Sequence, residues 1–286
     1  MSITIGERER DLGDLETIRF VASALFDVSA EKIGRLRAAF EKNGRFYAEI
    51  SDLYESVKQT AIRRGELPQA RRGPLRRIFV AFTSNVRFYG SVNTDVMTTF
   101  LERLGSEKQK NVDAMVIGRT GKTFMEGSDE AGRFPNLAYL SFEADEPTAG
   151  EMQQFLDRVE SYDEVHVLYP SFVNVFAQKV ASIDITHAAP SSAAVSTEEV
   201  DYIFEPELPQ IIRFFETRVR YLLFRRVALE SELARTAARL FAMNRAQDRA
   251  DEEIVKVRRV IRKDTESFND LRLLESFAAI SKWKTT

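Results

Sequence analysis

From Gln210 to Thr286 the sequence runs 77 residues without a glycine or a proline. Nothing in that stretch breaks a helix. Apolar residues recur there at alternating three- and four-residue steps through Leu222, Leu229, Leu233, Leu240, Met243, Ala250, Ile254, Val257, Ile261, Phe268, Leu271 and Ala278. Such a seam predicts one long helix with a coiled-coil face. At ~1.5 Å per residue it reaches on the order of 110 Å, whereas a compact chain of this length is about 40–45 Å across. The helix is therefore expected to project and to need a partner over its apolar surface. Thr236, Gln247, Asp264 and Glu275 interrupt the frame, so something besides helix pairing is expected to have shaped it.

One cover is available in the same chain. Phe26, Ile33, Phe40, Tyr47 and Tyr54 repeat every seven residues, with Leu36, Ile50 and Val57 on the alternate positions. This predicts a second coiled-coil helix near the start. Leu15, Ile18, Ala22 and Leu25 follow the rule one position out of phase, a local stutter. Gly34 and Gly44 make it a weaker helix than the C-terminal one.

The middle has another texture. Short β-rich runs at 78–82, 112–117, 137–142, 164–169 and 179–186 alternate with helical stretches at 92–104 and 148–162. Alternation of this kind predicts a small Rossmann-like α/β domain with a mainly parallel sheet. The stretch 187–199, HAAPSSAAVSTEE, reads as a loop. The expected organisation is an N-terminal coiled-coil helix (1–70), an α/β domain (71–206) and a C-terminal coiled-coil helix (207–286), the terminal helices wrapping antiparallel into a stalk.

Composition narrows the chemistry. Cysteine is absent, which excludes disulfides, a thiolate nucleophile and cysteine-held metal. Lys and Arg number 41 against 44 Asp and Glu, so global charge does not demand a nucleic-acid or membrane partner. The first residues lack an apolar core like that of a signal peptide, and no apolar run approaches the roughly 18 residues of a membrane span. A soluble or peripheral protein is expected.

Three features invite a chemical reading. Gly118-Arg119-Thr120-Gly121-Lys122-Thr123 ends like a phosphate-binding P-loop, but the first glycine of that motif would fall at Val116, so a turn is expected. His166 lies in the apolar run VHVLY, and neither it nor His187 has ligand-like acids at metal spacing. From Arg213 through Lys263 fourteen basic residues face seven acidic ones, but they interleave at helical spacing as on a solvated helix face. The competing readings are a nucleotide-binding P-loop protein, a nucleic-acid binder and a free-standing coiled-coil adaptor.

Residues 237–250, AARLFAMNRAQDRA, closely resemble the AARMMAMKNATDNA pattern of gamma subunits of F-type ATP synthases. Asp201-Tyr202-Ile203-Phe204-Glu205-Pro206 is similar to that family's D-Y-[IL]-Y-E-P segment. Tyr169 to Asn174 with Gln178-Lys179 resembles Y-N-K-F-V-N followed by Q-K. Thr83 to Asn93 fits the length of T-S-D-R-G-L-C-G-G-F-N, Gly118 to Gly121 fits G-R-K-G, and Ala24 to Ile33 resembles A-M-K-M-V-S-A-A-K-L. The order is the family's and covers nearly the whole chain. The D-R-G-L-C-G-G segment has lost its acid and two glycines, and the C-terminal R-Q…I-T-x-E pattern survives intact only at its arginine, here Arg262. The resemblance is to a divergent member, from a proton-driven or an alternative sodium-translocating complex.

The resemblance implies a non-catalytic central-stalk rotor that couples ion-driven rotation to ATP synthesis or hydrolysis in an alpha–beta hexamer. Its implied partners are the alpha and beta subunits, the epsilon subunit and the membrane c-subunit ring, with no nucleic acid. ATP, ADP and magnesium would be held by alpha and beta, with no cofactor in this chain. Arg262, Lys263 and Ser267 would contact beta. Phe277, Ala278, Ala279, Ile280 and Trp283 would turn in the hexamer's apolar bearing, and Tyr202, Phe204 and Glu205 would face epsilon and the c-ring. The implied location is the cytoplasmic face of a bacterial inner membrane, with membrane association only through the complex.

Overall fold

The computed structural model describes residues 2–66, 75–106, 112–128, 134, 137–186 and 205–283, with side chains from 5 to 278. Helix α1 (Ser2–Arg64) is followed by β1 (Arg77–Phe82), α2 (Val92–Ser106), β2 (Val112–Ile117), α3 (Arg119–Glu126), β3 (Leu137–Leu140), α4 (Ala149–Val159), β4 (Glu164–Phe172), β5 (Gln178–Asp184) and α5 (Leu208–Trp283). The expected α/β class, with long N- and C-terminal helices, is what the chain adopts. The loop expected at 187–199 lies outside the described residues. The chain divides into two compact units, residues 31–238 and residues 1–30 with 239–286.

In the larger unit the sheet order is β3-β2-β1-β4-β5. The first four strands pair in parallel, because each is reached through a crossover long enough to reverse direction. The link from Phe172 to Gln178 is too short for a crossover, so β5 turns back antiparallel on β4. Both sheet faces are covered, which is why the central strands read as continuous apolar runs. Phe79, Ala81, Val116 and Leu168 pack with Val96, Met97 and Phe100 of α2. Ile78, Val80, Phe82 and Val167 pack with Phe155 of α4 and with α5, where Phe224 stacks on Phe155 at 4.2 Å and meets Phe82 edge-on at 5.9 Å.

The long helices run antiparallel within this unit. Lys32 reaches Glu232 at 2.5 Å, Asn43 Nδ2 donates to the Leu222 carbonyl at 3.3 Å, and Tyr54 lies 3.5 Å from Glu216. Gly34 and Gly44 do not interrupt α1; a β-carbon at either would meet open space. The smaller unit is also antiparallel: Arg8 pairs with Asp264, Glu16 with Arg258 at 2.6 Å and Arg19 with Asp251 at 2.7 Å. Among its described residues only Ala22, Ser29, Ala250 and Ile254 are buried.

Candidate functional site

Ligands of doubly wound sheets bind beyond the carboxyl ends of the strands, where the strand order reverses. Here the reversal falls between β1 and β4, and α5 runs against that edge. Tyr169 donates its hydroxyl to Glu230 Oε2 at 3.1 Å, and Ser171 Oγ donates to Oε1 at 2.5 Å. Beside the end of β1, the Arg235 guanidinium lies over the Phe82 ring, 5.2 Å from its centroid, and Nη2 donates to the Asp145 carbonyl at 3.2 Å. At these positions the edge binds the chain's own helix.

From Val227 through Ala238 every residue of α5 is buried. A helix is enclosed on all sides only where neighbours approach its backbone closely, and Ala228, Ser231, Ala234, Ala237 and Ala238 keep the radius small. The polar members are held by specific partners. Glu232 receives Lys32 at 2.5 Å and Arg235 at 3.0 Å, and Thr236 Oγ1 donates to the Glu232 carbonyl at 2.7 Å. Burial by itself would raise the pKa of Glu232; the charges of Arg235 and Lys32 outweigh it and hold the carboxyl below its ordinary range. Burial, then Glu230, pushes the Tyr169 hydroxyl well up. Burial, then Glu216, pushes Tyr54 up to about 12.

The Gly118–Thr123 segment opens α3, so the expected turn is a turn continued into a helix. Its backbone donors are consumed inside the fold. Arg119 N–H reaches Asn85 Oδ1 at 3.0 Å, Thr120 N–H the Ser84 carbonyl at 3.0 Å and Gly121 N–H Thr83 Oγ1 at 3.0 Å. A P-loop presents such groups to phosphate. Here they stitch α3 to the residues after β1. Lys122 points to Glu126 at 3.7 Å. An open cleft of about 470 Å³ adjoins the segment, lined by Asn85, Arg87, Arg119, Thr120, Thr123 and Phe124.

His166 stacks on Phe79 with centroids 5.1 Å apart and has Nε2 3.2 Å from Glu164, as a strand histidine does. His187 lies outside the described residues. Among the described residues no cluster of three or more histidines and acids is placed to hold a metal ion.

In α5, Arg262 and Lys263 are exposed and Ser267 is half-buried. Lys263 and Ser267, four residues apart, share a helix face. Phe277 is 67% exposed and Ala278 is exposed; Ala279, Ile280 and Trp283 belong to the last turns of the helix. Glu205 is exposed just before α5, whereas Tyr202 and Phe204 lie outside the described residues. Sequence reasoning missed Lys32, Asn85, Asp145, Glu230, Glu232 and Arg235. The available signal was three charges inside a run of small residues, 227–238.

A family model described as ATP synthase matches residues 6–264. The ATP synthase gamma chain of Bacteroides fragilis is 26% identical over 270 residues, covering 88% of this chain and 90% of the relative. This chain belongs to the ATP synthase gamma family. Another relative, the ATP synthase gamma chain of Stenotrophomonas maltophilia, is 26% identical over 280 residues, with 90% and 91% covered. Among solved structures, the fold of this gamma-family chain is similar to one from the Euglena gracilis mitochondrial ATP synthase rotor, with TM-score 0.63, 13% identity and 94% and 99% of the two chains covered. It is also similar to one from the Tetrahymena thermophila mitochondrial ATP synthase central stalk and c-ring, with TM-score 0.56, 16% identity and 79% and 99% covered.

Proposed function

We propose that this chain is the central-stalk rotor of a rotary F-type ATP synthase, coupling ion-driven rotation of a c-subunit ring to ATP synthesis or hydrolysis in an alpha–beta hexamer. The observation that carries this, beside family membership, is the apolar surface of the smaller unit. Ile18, Phe20, Val28, Leu273, Leu274 and Phe277 are each more than half exposed there. Such a surface calls for a partner. An asymmetric helix pair inside a threefold ring presents a different face to each of three equivalent sites, so turning it biases each site in turn by differential contact.

In this reading the chain holds no catalytic site; ATP, ADP and magnesium belong to alpha and beta. Arg262, Lys263 and Ser267 are the beta contacts, Phe277, Ala278, Ala279, Ile280 and Trp283 the bearing, and Tyr202, Phe204 and Glu205 the side toward epsilon and the c-ring. No described helix is long and apolar enough to cross a membrane. We place the chain peripherally at the cytoplasmic face of a bacterial inner membrane, attached through the complex. The compartments 1–70, 71–206 and 207–286 then serve as first shaft helix, foot and second shaft helix.

The test is to co-express the chain with the alpha and beta subunits of its own genome, then measure the mass of the assembly and its ATPase rate. Three alpha, three beta and one copy of this chain are expected, with turnover that falls as residues from 278 onward are trimmed. A chain that stays apart from the hexamer and leaves its turnover unchanged overturns the reading. Ion-dependent turnover of the full complex separates proton from sodium coupling.

A further inference from the structure

We propose that Arg235 is the positioning residue of a torsional joint through which torque passes between the α/β sheet and α5. The inference rests on the rotor reading above. Close-packed side chains already oppose rotation of α5 about its own axis. Directed bonds add an angular preference that packing alone does not specify. In the enclosed stretch of α5 they leave the helix on different sides: at 3.6 residues per turn, Arg235 lies about 140° and Glu232 about 200° round the axis from Glu230. Glu230 is tied to Tyr169 and Ser171 of the sheet, Glu232 to Lys32 of α1, and Arg235 to the loop between β3 and α4.

That loop is itself held. The Asp145 carboxylate accepts from the Asn85 backbone N–H at 2.5 Å and from the Tyr89 hydroxyl at 2.7 Å, so the carbonyl offered to Arg235 has a fixed position. Arg235 is completely buried, and its Nε and Nη1 have no hydrogen-bond partner among the described residues. A guanidinium that grips one carbonyl, one carboxylate and one ring is suited to fixing an angle.

The experiment uses the full complex with its membrane sector and three variants: Arg235→Met, which keeps the apolar length, Arg235→Lys, which keeps the charge, and Lys32→Met. Assembly, thermal transition, ATP hydrolysis, ion transport per ATP hydrolysed and the angular fluctuation of a bead fixed to the α/β sheet are measured. Arg235→Met is expected to assemble and hydrolyse ATP while transport per ATP falls and the bead fluctuates more widely. Arg235→Lys restores most of both. A lowered thermal transition with unchanged transport ratio and fluctuation means a structural role only and overturns the joint. If Arg235→Met does not fold, Lys32→Met is read the same way, and unchanged fluctuation overturns the joint. Failure of the unmodified chain to join the hexamer overturns the rotor reading and the joint with it; failure of the variants alone to change coupling overturns only the joint.

Discussion

At Gly121 there is no room for a side chain. A β-carbon would lie 2.6 Å from Val116 Cγ1 and 2.7 Å from Thr83 Oγ1. At Gly118 it would lie 2.5 Å from the Thr83 carbonyl, on a backbone with φ +101°. Gly121→Ala is expected to cost about 1–3 kcal/mol by overpacking, read as a lower denaturation midpoint with an unchanged slope. Glu232 sets a pH dependence. Its folded pKa lies below the ordinary 4.5, so its stabilisation is present above that value and is lost as pH falls through the folded pKa. Glu232→Gln strands the buried Arg235 charge and is expected to cost about 3–5 kcal/mol at neutral pH. Thermal denaturation from pH 7 downward checks both: the variant starts lower and shows a shallower loss in acid.

Among elements, α5 shows how one heptad pattern serves different ends. In the larger unit Leu222, Leu229 and Leu233 are buried; further on Ala250 and Ile254 are buried, while Phe268 and Leu271 are exposed. The polar interruptions have separate explanations. Thr236 bonds its own helix, and Asp264 pairs with Arg8. Asp264 and Arg8 are each about one-third exposed, so Asp264→Ala is expected to cost under about 1 kcal/mol. Phe155→Ala removes a fully buried ring stacked on Phe224 and is expected to cost about 3–5 kcal/mol; equilibrium urea unfolding of the two variants compares them directly. Strand β2 was expected at the residues where it occurs and β4 three residues shorter, because buried parallel strands are plain apolar runs. Helix α3 was missed: its eight residues carry turn composition, and its first N–H groups find acceptors in Thr83, Ser84 and Asn85, more than thirty positions away.

For the whole molecule, the two units carry very different burial. The larger holds a sheet covered on both faces, whereas the described residues of the smaller bury four side chains and expose several large apolar ones. Amides of residues 5–30 and 239–278 are therefore expected to exchange hydrogen much faster in the free chain than those of the central strands, and to slow on assembly with the hexamer. Hydrogen exchange with and without the alpha and beta subunits measures this; equal protection of both units in the free chain would contradict it.

What the sequence determined by itself was local: a heptad repeat and a lack of helix breakers specified two long terminal helices, and short apolar β-rich runs alternating with helical stretches specified a mainly parallel sheet between them. The candidate contacts at Arg262, Lys263 and Ser267 came from local motif likeness and remain local. The joint at Arg235 was decided only in three dimensions. Glu232 is its neighbour on the same helix, but Phe82 and Asp145, and the Lys32 that meets Glu232, come from separate segments, and only folding brings them to the buried charge.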